Sequence, residues 1–222
     1  MVNTVGSYKK YWQKEWIPIK KMLRLSSKQK SLIIGSLLGD GTMWLGKNAK
    51  NVNFKVEQGL VQKEYVFWKY NILKKFVFTE PKISYRYNEN GKYPKSWWFR
   101  TVRHPIFTKI YNEFYTGKEH KTGKKIIPKN LETEMNPLVL AVWIMDDGSY
   151  SPKRIDISTY SFTLKEIHSL QNILKKVFNI ESCYYKDRNI GFRMYFDTKN
   201  TKKVIKTIYP YIIPTMIYKI GL

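Results

Sequence analysis

LIIGSLLGDG, residues 32–41, is the stretch that decides the fold, because a related stretch, LAVWIMDDG, returns at residues 140–148. Each is an apolar run of helical character that stops at an acid followed by glycine, Asp40–Gly41 and Asp147–Gly148. Glycine just past a helix predicts a left-handed stop, since it has no Cβ to clash there. The acid before it runs against the helix. It faces the negative end of the dipole and the unpaired last carbonyls, at a cost of about 0.3–1 kcal/mol. Two such violations at matching positions predict a cation there, because local rules tend to break at functional sites.

Gly35 and Gly39 stand four residues apart on one helix face, with Ser36 beside them, so a second backbone can come close. In the second copy Ala141 is the small residue expected on the equivalent face, with Trp143 and Met145 bulkier, which predicts a lopsided crossing. Helices packed side by side bring Asp40 and Asp147 together. Two carboxylates sharing a site raise each other's pKa unless a cation intervenes. Mg2+ suits a site made of oxygen ligands.

The chain around these helices has 222 residues, 43% hydrophobic and 16% aromatic, enough for one large domain or two smaller ones with a true core. Its net charge of +23 favours a polyanionic partner, nucleic acid first and an anionic membrane surface second. The single cysteine, Cys183, excludes an internal disulfide and is expected to be a small core residue. His104, His120 and His168 are too scattered for a structural zinc cluster. No apolar run approaches the roughly 18 residues of a membrane span, and the N-terminus lacks a secretory signal. An intracellular, reducing compartment is expected.

Periodicity organises the rest. Residues 1–25 form a basic, aromatic arm with Trp12, Trp16 and Pro18, and Ser26 or Ser27 caps the first motif helix. A strand is predicted over 52–58, where Val52, Phe54 and Val56 share one face, then a helix over 62–78. Strands over 82–88 and 95–102 flank the ENGK turn, and a helix follows over 105–115. The Gly/Lys/Pro-rich stretch 116–137 is a linker. After helix 138–147, the order returns as strand 154–161, helix 162–178, strands 182–188 and 190–197, and helix 201–209.

NILKK occurs at 71–75 and again at 172–176, an offset of 101, whereas the two motif acids are 107 apart. The expected architecture is α+β: two pseudo-symmetric αββαββα repeats, 26–115 and 138–222, packed through their motif helices in one monomer. Each repeat is a curved antiparallel sheet, apolar beneath its helices and polar on the other side. The polar sides are assigned Lys55, Lys82, Arg86, Arg100, Arg154, Lys186, Arg188 and Arg193, a basic surface suited to a duplex.

With both motifs and their context in place, the chain resembles the LAGLIDADG homing endonucleases, in the monomeric, two-repeat, intron-encoded form. The resemblance runs from about residue 26 to 222 and includes KKIIPKNL (124–131), STYSFT (158–163) and YIIPTMIYKI (211–220). It implies that Asp40 and Asp147 bind divalent metal, Mg2+ or an ion such as Mn2+, helped by the backbone carbonyls of Gly39 and Asp146. It implies active-site lysines at Lys125 and Lys219, and a water-organising polar residue at Gln58. The place matching Gln58 in the second repeat is taken by Tyr160, where a glutamine is more typical, and Arg188 stands where a neutral amide is expected. The implied activity is site-specific cleavage of double-stranded DNA, with a staggered cut leaving short 3′ overhangs in a long asymmetric target. The alternative on the same fold is a maturase acting on intron RNA. A composition rich in Lys, Ile, Tyr and Asn, joined to this resemblance, points to a mitochondrial or chloroplast intron.

Overall fold

The computed structural model describes residues 16–222 except 47, 48, 90, 118–122 and 189. Trp12, most of the expected arm and His120 therefore lie outside the described residues. In chain order α1 (Trp16–Met22) lies in the arm, and the first repeat comprises α2 (Ser27–Leu38), β1 (Thr42–Trp44), β2 (Asn53–Gly59), α3 (Lys63–Leu73), β3 (Lys82–Asn88), β4 (Gly91–Arg100) and α4 (Pro105–Phe114). A short α5 (Leu131–Glu134) leads to α6 (Pro137–Asp147), β5 (Gly148–Ser151), β6 (Arg154–Ser158), α7 (Leu164–Phe178), β7 (Cys183–Asp187), β8 (Gly191–Phe196) and α8 (Thr198–Ile208). A 3-10 segment, Pro214–Ile220, closes the chain. The strands form two antiparallel sheets of identical order, β1-β2-β4-β3 and β5-β6-β8-β7. No helix among the described residues is long and apolar enough to cross a membrane.

Local chemistry sets the ends of the central helices. Ser26 caps α2 through a capping box with Gln29, satisfying two orphan donors reciprocally. Asn136 caps α6 by accepting from the backbone N–H of Leu138 and Val139, with Pro137 at the first helical position, where its missing N–H costs nothing. From Ser31 to Leu38 and from Leu138 to Asp146 every residue is buried. Helices enclosed on all sides carry apolar residues all round, which is why neither motif shows an amphipathic stripe.

α2 and α6 cross at the two small residues expected, but against a different face of the partner. A Cβ on Gly35 would stand 2.6 Å from the Val139 carbonyl oxygen and 2.7 Å from the Val142 Cβ, and one on Gly39 would stand 2.5 Å from the Asp146 Cβ. The contact face of α6 is thus Val139, Val142 and Asp146, spaced three and four apart, and not Ala141. The expected left-handed stop is also corrected. Gly148 is extended, with φ −73°, and Gly41 is not among the positive-φ residues. Glycine is required at 41 by crowding, since a Cβ there would lie 2.8 Å from Ser36 and 2.9 Å from Phe54.

Each repeat holds one strand that the period-two pattern misses, β1 and β5, because three or four residues are too few to display alternation. These strands explain the two unequal offsets. Thr42 pairs with Lys55 and Ser149 with Asp156, so Lys55 and Asp156 are structural counterparts, 101 apart like the NILKK copies. The connection from β1 to β2 spans residues 45–52 and that from β5 to β6 only 152–153, a difference of six that accounts for 107 against 101. Cys183 is exposed on β7, not in the core as expected, because its partner across the ladder is Tyr195 on the uncovered side of the sheet.

The crossing predicts a sharp contrast between glycines. Gly35→Val forces a side chain into a backbone carbonyl and should destabilise the fold by about 1–3 kcal/mol or more, lowering the melting temperature by several degrees. Gly59→Ala, whose Cβ would meet nothing nearer than 3.9 Å, should melt close to the parent. Thermal unfolding by circular dichroism separates the two outcomes.

Candidate active site

Gly39 closes α2, its N–H donating to the carbonyls of Gly35 (3.2 Å) and Ser36 (3.1 Å). Its bare α-carbon lies against Asp146, so the end of α2 touches the end of α6 and Asp40 meets the Asp146–Asp147 pair. The three acids sit in three environments: Asp40 is exposed, Asp147 half-buried and the Asp146 side chain wholly buried. Burial and then the charges of Asp40 and Asp146 push the Asp147 carboxyl up to about 8. Lys125 and Lys219 pull it back without cancelling the rise. Burial beside like charges favours the neutral form of a carboxyl in this way.

Two lysines reach this point from distant parts of the chain, the linker and the C-terminal segment. Lys125 Nζ donates to the Gly39 carbonyl at 2.6 Å, and Lys219 Nζ donates to the carbonyls of Gly148 at 2.7 Å and Asp146 at 3.3 Å. The linker carries Lys125 into place by pairing with Tyr115 at the end of α4. Lys219 rides on the C-terminal 3-10 segment, which ends at Gly221 with φ +75°. Only glycine serves there, because a Cβ would run into the Tyr150 ring of β5. Burial lowers the pKa of both ammonium groups, while the neighbouring acids favour their charge. The carbonyls implied as metal ligands, those of Gly39 and Asp146, thus accept hydrogen bonds from these lysines.

Gln58 joins the acids. Its Nε2 donates to Asp40 Oδ2 and to Asp146 Oδ1, each at 3.0 Å. Asp146 also receives Lys69 Nζ on both oxygens, at 2.7 and 2.9 Å, and this ion pair is fully buried. The ammonium lies 4.4 Å from the centre of the Tyr65 ring, whose hydroxyl donates to the Val142 carbonyl. Sequence reasoning missed Lys69 and Tyr65, although α3 carried the signal. Lys69 stands four after Tyr65, three after Val66 and four before Leu73, all buried, and a lysine on an apolar stripe needs a buried acid.

The second repeat offers no copy of this link. Counted from the Lys55/Asp156 row, the counterpart of Gln58 is Thr159 and not Tyr160. Thr159 donates its hydroxyl to the Phe192 carbonyl at 2.7 Å, and Tyr160 donates to Asp187 at 2.5 Å. Arg188 lies in the β7–β8 turn with φ +50°. Among the described residues no group of three or more His, Cys, Asp or Glu side chains could hold a metal ion. A cation at this site would therefore rest on two carboxylates and complete its shell with carbonyl, water or phosphate oxygens.

The uncovered sheet faces carry charge mixed with aromatic rings. Strand pairing puts Lys55, Arg100, Trp98 and Lys82 on the open face of the first sheet, and alternation along β3 adds Arg86. Trp44, Trp98, Lys55 and Arg100 line a cleft there with Thr42 and Asn53. On the second sheet Arg154 and Arg193 share the open face with Tyr185 and Tyr195. Lys186 does not join them, since it pairs with Phe192 on the helix-covered side. Each open face also holds acids already engaged, Glu57 on the first and Asp156 and Asp187 on the second. Lys55 and Lys95 pair with Glu57, and Arg154 grips Asp156 with two hydrogen bonds of 2.8 and 2.7 Å.

A family model described as the LAGLIDADG DNA endonuclease family matches residues 30–204. The chain belongs to this family. It is 30% identical over 201 residues to the cytochrome b mRNA maturase bI2 of Debaryomyces hansenii, covering 89% of this chain and 75% of that protein. It is also 30% identical over 211 residues to DNA endonuclease I-ChuI of Chlamydomonas applanata, covering 90% of this chain and 97% of that one. Among solved structures it is similar to the homing endonuclease I-WcaI bound to its DNA recognition sequence, with a TM-score of 0.83 and 28% identity over 94% of this chain and 93% of that one. The α+β architecture of two repeats is that of this LAGLIDADG neighbour.

The acid environment yields a pH dependence. Asp147 binds its proton more tightly folded than unfolded, so its contribution to stability is complete below its ordinary value of 3.8 and disappears as pH rises to about 8. Melting temperatures in chelator should fall between pH 5 and 8.5, and the fall should be smaller in Asp147→Asn. Equal slopes for the two proteins would contradict the assignment.

Proposed function

We propose that this LAGLIDADG protein is a site-specific, divalent-metal-dependent endonuclease that makes a staggered cut in a long, asymmetric duplex target. The observation that carries the reading is the meeting of Asp40 and Asp147 at touching helix ends, where burial and the charges of Asp40 and Asp146 push the Asp147 carboxyl up to about 8. The donors there are hard oxygens, which suit Mg2+ or Mn2+. Asp40 and Asp147 would hold the cations, and the carbonyls of Gly39 and Asp146 become available when Lys125 and Lys219 swing to the phosphate. The chemistry such cations supply is the polarisation of water and the stabilisation of the departing 3′ oxygen.

The chain's own groups account for the rest. Lys125 and Lys219 offset charge on the pentavalent phosphorus, a term worth about 10²-fold or more in rate. Gln58 fixes the plane of the Asp40 carboxylate. Lys55, Lys82, Arg86, Arg100 and Arg193 on the open faces reach phosphates and base edges, where Arg to guanine and Asn or Gln to adenine are the favoured pairings. Two unlike faces read two unlike half-sites, which makes the target asymmetric. Arg188 at the β7–β8 turn adds a phosphate contact.

A second reading is supported by the maturase relative: the same chain binds intron RNA and assists splicing. The intact acid pair supports cleavage beside it, and one protein can do both. A relative named for cytochrome b mRNA also supports an organellar intron as the origin.

Asp40→Asn and Asp147→Asn should each bind the target selected from a randomised duplex library and fail to cut it with Mg2+ present. Either variant cutting at the parent rate would remove that acid from the mechanism. Binding to duplex DNA should weaken steeply and linearly in log salt as phosphate counterions are released, and a flat profile would contradict the basic faces as the duplex contact.

A further inference from the structure

The polar connection at the helix ends runs in one direction only. Gln58 and Lys69 of the first repeat converge on Asp146 of the second, and Gln58 passes on to Asp40. Counterpart positions follow from the offset of 101 along β2 and α3 and of 107 along the motif helices. They are Thr159 for Gln58, Leu170 for Lys69 and Gly39 for Asp146. Leu170 is a buried core residue, Thr159 is spent on Phe192, and Gly39 has no side chain. Asp147 therefore has no such brace, while Asp40 is tied through an amide to a buried ion pair.

We infer that Lys69 and Asp146 are positioning residues that hold Gln58, and through it Asp40, so that the two strand cuts depend unequally on the protein. A buried ion pair of this kind is a poor source of stability, since well-packed apolar residues of similar volume serve the fold as well. Its distinctive feature is geometric. Both Asp146 oxygens face Lys69 Nζ, and the 3.0 Å bond from Gln58 leaves the second amide hydrogen aimed at Asp40 Oδ2. Without Asp146 as anchor the buried amide is free to rotate, and the Asp40 carboxylate loses its fixed plane. The outer groups behind a ligand typically matter by about 10- to 100-fold.

This inference rests on the reading of Asp40 and Asp147 as the two cation-holding acids. The test uses the full chain, its selected duplex labelled on each strand in turn, and Mg2+. Lys69→Met/Asp146→Leu replaces the pair by apolar residues, avoiding an unpaired buried charge. Gln58→Ala leaves the Lys69–Asp146 pair in place and breaks only its link to Asp40. Both variants should bind DNA as the parent does and accumulate nicked duplex, with cutting of the same one strand slowed by about 10- to 100-fold relative to the other. Combining all three substitutions should add little to either alone, as for residues acting in one chain. Equal slowing of both strands, or no slowing, in the Gln58→Ala protein or in the folded double variant overturns the inference. Parent-rate cutting by Asp40→Asn and Asp147→Asn would overturn the acid reading instead, leaving the two failures distinct.

Discussion

Backbone lies against side chain and backbone where α2 meets α6, and every functional distance in this molecule depends on that closeness. At Gly35 the partner is the Val139 carbonyl and at Gly39 it is Asp146, each nearer than any real Cβ could stand. The consequence is electrostatic as much as steric. Helices kept apart by ordinary side chains would have left Asp40 and Asp147 as two solvated acids. Pressed together, they sit where the negative ends of two helix dipoles add to their own charges. The approach is stable because apolar residues enclose both helices on all sides, so burial offsets the strain of gathered charge.

The protein answers that charge with groups drawn from distant parts of the chain. Lys69 comes from α3, Lys125 from the linker and Lys219 from the C-terminal segment, each meeting a different atom at the helix ends. Lys69 faces a carboxylate and is sealed in, whereas Lys125 and Lys219 hold carbonyls and stay partly accessible. That difference separates a cation locked in a buried ion pair from two bound to backbone carbonyls nearer the surface. The same contrast recurs on the open faces, where Lys55 and Arg154 are engaged by Glu57 and Asp156 while Lys82, Arg86 and Arg100 are exposed.

The repeat is a scaffold on which the two halves have diverged. The sheets share strand order and the register of their central rows, yet the β1–β2 connection is six residues longer than its counterpart. Position 39 is glycine where 146 is a buried acid, and 69 is lysine where 170 is leucine. Each substitution alone would leave a group unsatisfied, an acid without a cation or an ammonium in an apolar core. Together they satisfy one another, which is how a pseudo-symmetric fold acquires a handed site.

Much of this was legible in the linear chain, since it depends on nearest neighbours in sequence. Two apolar runs ending in acid and glycine, alternation in β2 and β3, the NILKK echo and the excess of lysine determined two repeats, two central helices and a basic character. The tertiary structure decided what depends on contact between distant segments. It put Val142, not Ala141, against Gly35, turned Lys186 to the covered side of its sheet, exposed Cys183 and made Thr159 the counterpart of Gln58. It also supplied a partner for Lys69, a residue whose place on an apolar stripe was visible but whose acid was not. Periodicity reports which face of an element is buried; only packing reports what lies on the far side of that face.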